Sequence, residues 1–120
     1  MKAAKADFPS VPRAVEAIDA LGSNNSELMA TRAIHINVFL KEVPGDTAKT
    51  IKKAYNEIGA EAAISSDAYY EVEGTITDMI VMGTVYQHRE ARRVLSENTK
   101  VKPWIDAIAQ VVEEAPETKG

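Results

Sequence analysis

A chain of 120 residues, 45% hydrophobic and 27% charged, is the size of one globular domain able to bury a single sizeable core. Its formal net charge of −4 argues against a general nucleic-acid or anionic-membrane binder, because such binders need summed positive charge. The absence of cysteine excludes disulfides, thiolate nucleophiles and thiolate metal sites, and no run reaches the roughly 18 apolar residues of a membrane span.

The opening MKAAKADFPS has two lysines but no apolar signal core, so a cytoplasmic protein is expected. Ser10 before Val11-Pro12 reads as a capped helix start with proline in the first turn. Val11, Ala14, Val15, Ile18 and Leu21 make its apolar stripe, and Gly22 suits its end. Ser23 to Ser26 reads as a polar linker, after which Met29 opens MATRAIHINVF. Residues 1–30 are therefore expected to be a helical appendage, 31–113 an α+β domain and 114–120 a disordered tail.

Ala33 to Val43 alternates Ile34, Ile36, Val38 and Leu40 with His35, Asn37, Phe39 and Lys41, the period of a half-buried strand. Pro44-Gly45-Asp46 ends it and starts a helix with Asp46 or Thr47 as cap. Its buried stripe is Ala48, Ile51, Ala54, Tyr55 and Ile58, and Gly59 stops it. From Ala62 to Glu73 the pattern reads as extended, with Asp67, Tyr69, Glu71 and Glu73 on one side and Ile64, Tyr70 and Val72 on the other. Of the pair Tyr69-Tyr70, one ring is expected in the core. Gly74-Thr75 then reads as a hairpin turn.

TITDMIVMGTVY, Thr75 to Tyr86, is the most apolar stretch and apolar on both faces. Helical spacing is also satisfied by Val72, Ile76, Met79, Ile80 and Gly83. The β-branched residues favour a strand, and Gly83 in mid-helix would cost about 1 kcal/mol. Gln87 to Glu97 reads as a helix with Ala91, Val94 and Leu95 inward and Arg89, Arg92 and Arg93 outward. Pro103 restarts a last helix with Trp104, Ile105, Ile108, Val111 and Val112 as its stripe.

These elements predict an α+β fold, a ferredoxin-like βαββα core with an N-terminal and a C-terminal helix, and the strands at Ala33 and Thr75 at its centre. With helices on one face, the other keeps His35, Asn37, Phe39, Tyr69, Glu71 and half of the Thr75–Tyr86 stretch. So apolar a face is expected to be covered by a second copy, making a homo-oligomer.

His35 and Glu71 are the candidate catalytic bases, since an imidazole titrates near neutrality and burial can raise a carboxylate. Asn37, Tyr69, Tyr86, His88 and Arg92 are the candidate ligand contacts, the last three gathering hydroxyl, imidazole and guanidinium groups at a helix start where an anion is favoured. Each also has a bland structural reading: an interface histidine, a solvated acidic strand face, a solvated arginine face. No metal-ligand spacing, P-loop, GxGxxG or GxSxG occurs, so no metal or cofactor is expected. The expected function is a small cytoplasmic oligomeric binding or accessory module, taking a small anionic metabolite or a partner enzyme on the open sheet face. The alternative is a cofactorless isomerase, tautomerase or lyase with its site at a subunit interface and Arg92 as anchor.

Overall fold

In the computed structural model, which describes residues 1–114, the chain begins with two helices, α1 (Val11–Asp19) and α2 (Ser26–Ala33). The Ser10 hydroxyl accepts from the Arg13 N–H and so caps α1. Helix α2 lies where the residue pattern predicts the end of a polar linker and the opening of the domain at Met29. Asn25 turns through the left-handed region at φ 57°, and the Ser26 hydroxyl donates to the Asp19 carboxylate, which folds α2 back on α1. Ala14 and Ala30 are fully buried in that hairpin, and α2 also packs on the helix that follows the last strand.

Strand β1 (His35–Pro44) leads into α3 (Gly45–Glu57). The helix starts one residue before the expected Asp46 cap. Gly45 donates its N–H to the Thr75 carbonyl at 2.8 Å, and a Cβ there would lie 3.0 Å from that oxygen. Any larger residue there would crowd Thr75 and push the two segments apart. The extended reading of 62–73 is corrected. Strand β2 covers only Glu61–Ala63, and Ser66–Tyr69 forms the short helix α4. The Ser65 hydroxyl accepts from Ala68 N–H, and Ala68 is buried. This local serine cap outweighs the weak alternation after Ile64. As a result Asp67, Tyr69, Glu71 and Glu73 do not share a strand face. Neither ring of the Tyr69–Tyr70 pair is core: both are exposed, stacked edge-to-face with centroids 5.1 Å apart.

Strand β3 (Ile76–Thr84) resolves the strand-or-helix ambiguity in favour of strand. It gives way to α5 (Val85–Leu95) two residues earlier than the apolar run suggested. Thr84 and Gln87 form a reciprocal capping box, each side chain accepting the other's backbone N–H at 3.1 and 2.9 Å. The last helix is α6 (Lys102–Val112). Val94 and Val111, expected inward, are exposed because α5 and α6 meet along Ala91, Leu95, Ile105 and Ile108 instead. Apart from Glu114, the expected tail lies outside the described residues.

The fold is α+β: the described residues form six helices and one antiparallel sheet of three strands in the order β1-β3-β2. β3 is central, as expected, but β1 is an edge strand, because the chain continues after α5 as a helix and no described strand is laid outside β1. Val38, Leu40, Val43, Met79, Val81 and Ala62 point to the helix side and join Ile51, Tyr55, Ile105 and Ile108 in the core. The β1–β3 register runs from His35↔Thr84 to Leu40↔Met79 and then shifts before Val43↔Thr77. This bulge holds Glu42 at φ 58°, with its N–H donated to Asp78 Oδ1 at 2.9 Å. Among the described residues, no helix is long and apolar enough to cross a membrane.

Candidate functional site

The face of the sheet turned away from the helices is built by the alternation that buries the other one. β1 contributes His35, Asn37 and Phe39, and β3 contributes Ile76, Asp78, Ile80, Met82 and Thr84. Register sets them in rows across the three strands: Phe39, Ile80 and Ala63 in one, Asn37, Met82 and Glu61 in the next, with His35 beside Thr84 at the end. Phe39 is 58% exposed, Ile76 66% and Ile80 37%. Phe39 and Ile80 thus form an apolar pair at mid-face, Asp78 separates them from Ile76, and the end at His35 is polar. At the polar end His35 Nε2 donates to Asn37 Oδ1 at 2.9 Å, a pair on the surface of β1.

Of the seven residues singled out from the sequence, only His35 and Asn37 share this face. Tyr69 and Glu71 lie at and just after α4, where both meet Lys49: its ammonium sits 5.1 Å from the Tyr69 ring centroid and 3.0 Å from Glu71 Oε2. Tyr86, in the first turn of α5, lies under the Arg32 guanidinium at 4.3 Å, a cation–π contact that fastens α2 to α5. Arg92 faces Asp106 of α6 at 3.5 Å.

His88 is 3% exposed and belongs to the core. Its Nε2 lies 2.8 Å from the Ile36 carbonyl oxygen, which can only accept, so Nε2 carries the proton. Nδ1 is then the acceptor for the Tyr55 hydroxyl, also at 2.8 Å. Burial holds the imidazole pKa below its usual value and pushes the Tyr55 phenol up, so both groups stay neutral. Both ring nitrogens are engaged inside the protein, and the ring ties α3 and α5 to β1.

The cations of α5 and its flank are all paired, Arg92 and Lys102 sharing Asp106. Arg89 makes a bidentate pair with Glu113 at 2.9 and 2.7 Å, which holds that carboxyl below its ordinary pKa. Arg93 pairs with Glu90, Lys102 with Asp106 and Lys100 with Asp46. An apolar cleft of about 440 Å³ lies between Phe8, Val11, Ile34, Ile36, Val85 and Val112, with the Arg89–Glu113 pair on its wall. Among the described residues, no group of three or more acidic or histidine side chains is placed to hold a metal ion.

Sequence reasoning missed Lys52 and Glu61. Lys52 Nζ reaches Glu61 Oε1 at 2.8 Å and the Ala62 carbonyl at 2.7 Å. No local pattern signals this, because the contact depends on where α3 lies against β2. Comparison of the chain with protein-family models, curated proteins and solved structures finds no match.

Proposed function

We propose that this protein is a small cytoplasmic binding or accessory module, oligomeric, that docks a partner protein through its open sheet face. The observation that carries this reading is the exposure of Phe39 and Ile80, paired side by side across β1 and β3, on one face that no described element covers. Contiguous apolar area of this kind marks interaction sites in proteins that are otherwise polar outside. The order of β1, α3, β2, β3 and α5, with β3 between two strands that run parallel to each other, supports a ferredoxin-like reading of the core. The α1–α2 hairpin, packed on α5, is the N-terminal appendage of that core.

A small anionic metabolite draws less support than a protein partner. Arg89, Arg92, Arg93, Lys100 and Lys102 each already hold a carboxylate. The cofactorless isomerase, tautomerase or lyase draws less again. His35, Glu71 and Arg92 lie on β1, beyond α4 and on α5, and Glu71 and Arg92 are ion-paired.

Native mass spectrometry of the chain taken from its own cells tests the reading. The wild type is expected to carry a further protein mass that is lost in the double variant Phe39→Thr with Ile80→Thr, which keeps strand propensity while removing apolar area. Identical spectra for the two proteins would remove the open face from the function.

A further inference from the structure

The two edges of the sheet are finished differently. The Ile34 carbonyl accepts from Val85 N–H at 2.9 Å, which fixes the alternation of the ladder: Ile34, Ile36, Val38 and Leu40 bond toward β3. The main-chain groups of His35, Asn37 and Phe39 therefore point outward, where no strand of the described residues lies beside them. By the same alternation, Ala62 is the residue of β2 that points outward. Its N–H donates to Glu61 Oε1 at 2.8 Å, its carbonyl accepts from Lys52 Nζ at 2.7 Å, and Lys52 and Glu61 are themselves paired. That edge is three residues long and both of its free groups are taken up by charged side chains, the usual protection against strand addition.

Among the described residues, no charged side chain bonds the outward main-chain groups of His35, Asn37 or Phe39. His35 to Leu40 is a regular, extended, six-residue run without proline, and its first fixed charge is Lys41, at the bulge. An unpaired strand of this kind is a template for another strand.

We propose that β1 pairs antiparallel with β1 of a second copy of this chain, joining two three-stranded sheets into one of six strands. A second copy fits the edge because the run has no carboxylate, lysine or arginine, so setting it against itself opposes no like fixed charges. The bulge after Leu40 and the helix before His35 limit pairing to the same six residues in both chains. A two-fold axis then passes near Asn37 and Val38. This places Phe39 of the partner subunit opposite His35 or Asn37. The polar end of each open face is thereby completed by an aromatic side chain from the other copy, and the two apolar faces become one surface. The pairing deepens the oligomeric half of the function proposed above and does not depend on what the face binds.

Sedimentation equilibrium of the full chain, with hydrogen exchange read at single amides, tests it. The wild type is expected to dimerise, with the His35, Asn37 and Phe39 amides becoming protected as concentration rises. Asn37→Pro removes an outward N–H without touching the β1–β3 ladder, and by symmetry two intersubunit bonds. It is expected to raise the dimer dissociation constant about tenfold or more, with unchanged far-UV circular dichroism. Asn37→Thr keeps the N–H and should remain dimeric. If Asn37→Pro does not fold, the concentration dependence of the three amides decides alone. A monomeric wild type, protection independent of concentration, or a dimer indifferent to Asn37→Pro overturns the proposal. If instead Phe39→Thr with Ile80→Thr dissociates a dimer that Asn37→Pro leaves intact, the face and not the edge joins the copies.

Discussion

Strands β1 and β2 flank the same central strand and are held to it by the same antiparallel ladder, yet they are secured in opposite ways. β2 is three residues long and closed from outside by Lys52 and Glu61. β1 is ten residues long, open outside, and fastened from within, where His88 donates to the Ile36 carbonyl and accepts from Tyr55. The difference teaches that edge protection is local chemistry rather than a property of the sheet. A short strand under a lysine-bearing helix is sealed by one ion pair. A long strand whose edge is left open has its tertiary anchor on the buried side, so its outward groups stay available.

The internal anchor is where the comparison breaks most severely. His88→Ala would leave the Tyr55 hydroxyl without a partner and open a cavity beneath β1. It is expected to cost about 3 kcal/mol in denaturant unfolding. The same residue sets a pH dependence. Its folded pKa lies below the ordinary value of 6.5, so as pH falls through that value the unfolded chain takes up the proton first. The His88 contribution is complete above pH 6.5 and is lost progressively below it. His88→Gln should flatten that part of the stability profile, and an unchanged slope between pH 7 and 5 would disprove the assignment.

Opening the sealed edge is the next largest effect. Lys52→Ala removes the donor to the Ala62 carbonyl and releases Glu61, whose carboxyl the lysine holds below its usual pKa. Stability is expected to fall by about 1 kcal/mol. More informative is a new, concentration-dependent association that Asn37→Pro does not suppress, read by sedimentation. If the variant associates no more than the wild type, the Lys52–Glu61 pair is not what protects that edge.

The smallest effect is expected from removing residues before Met29. Both edges and the main core lie outside the deleted segment, and Ala14 packs in the α1–α2 hairpin rather than in that core. The shortened chain should fold with a loss of about 1 kcal/mol or less and keep any partner that docks on the open sheet face. Cooperative unfolding on truncation would show the hairpin to be part of the domain.

The elements legible in the sequence were those whose burial follows a strict period. The alternation from Ile34 to Leu40, the stripe from Ala48 to Ile58 and the Ser10 cap with Pro12 all appear where residue spacing puts them. For the candidate face, His35, Asn37 and Phe39 were readable for the same reason: period two sends them opposite to Val38 and Leu40. Tyr69 and Glu71 were not, because the hydroxyl of Ser65 turned an apparent strand into a helical turn. Nor was His88, since a helix start shows which residues are near each other but not which neighbour carbonyl lies 2.8 Å away.

The sequence by itself determined an α+β chain and the core-facing sides of β1 and α3, because hydrophobic period is a local property of neighbouring residues. Only the tertiary structure decided that β1 is an edge. That depends on which strand comes to lie beside it, and here the chain after α5 forms α6 instead of a further strand. The same holds for the contrast between the open and the sealed edge, since Lys52 meets Ala62 only once α3 is laid against β2.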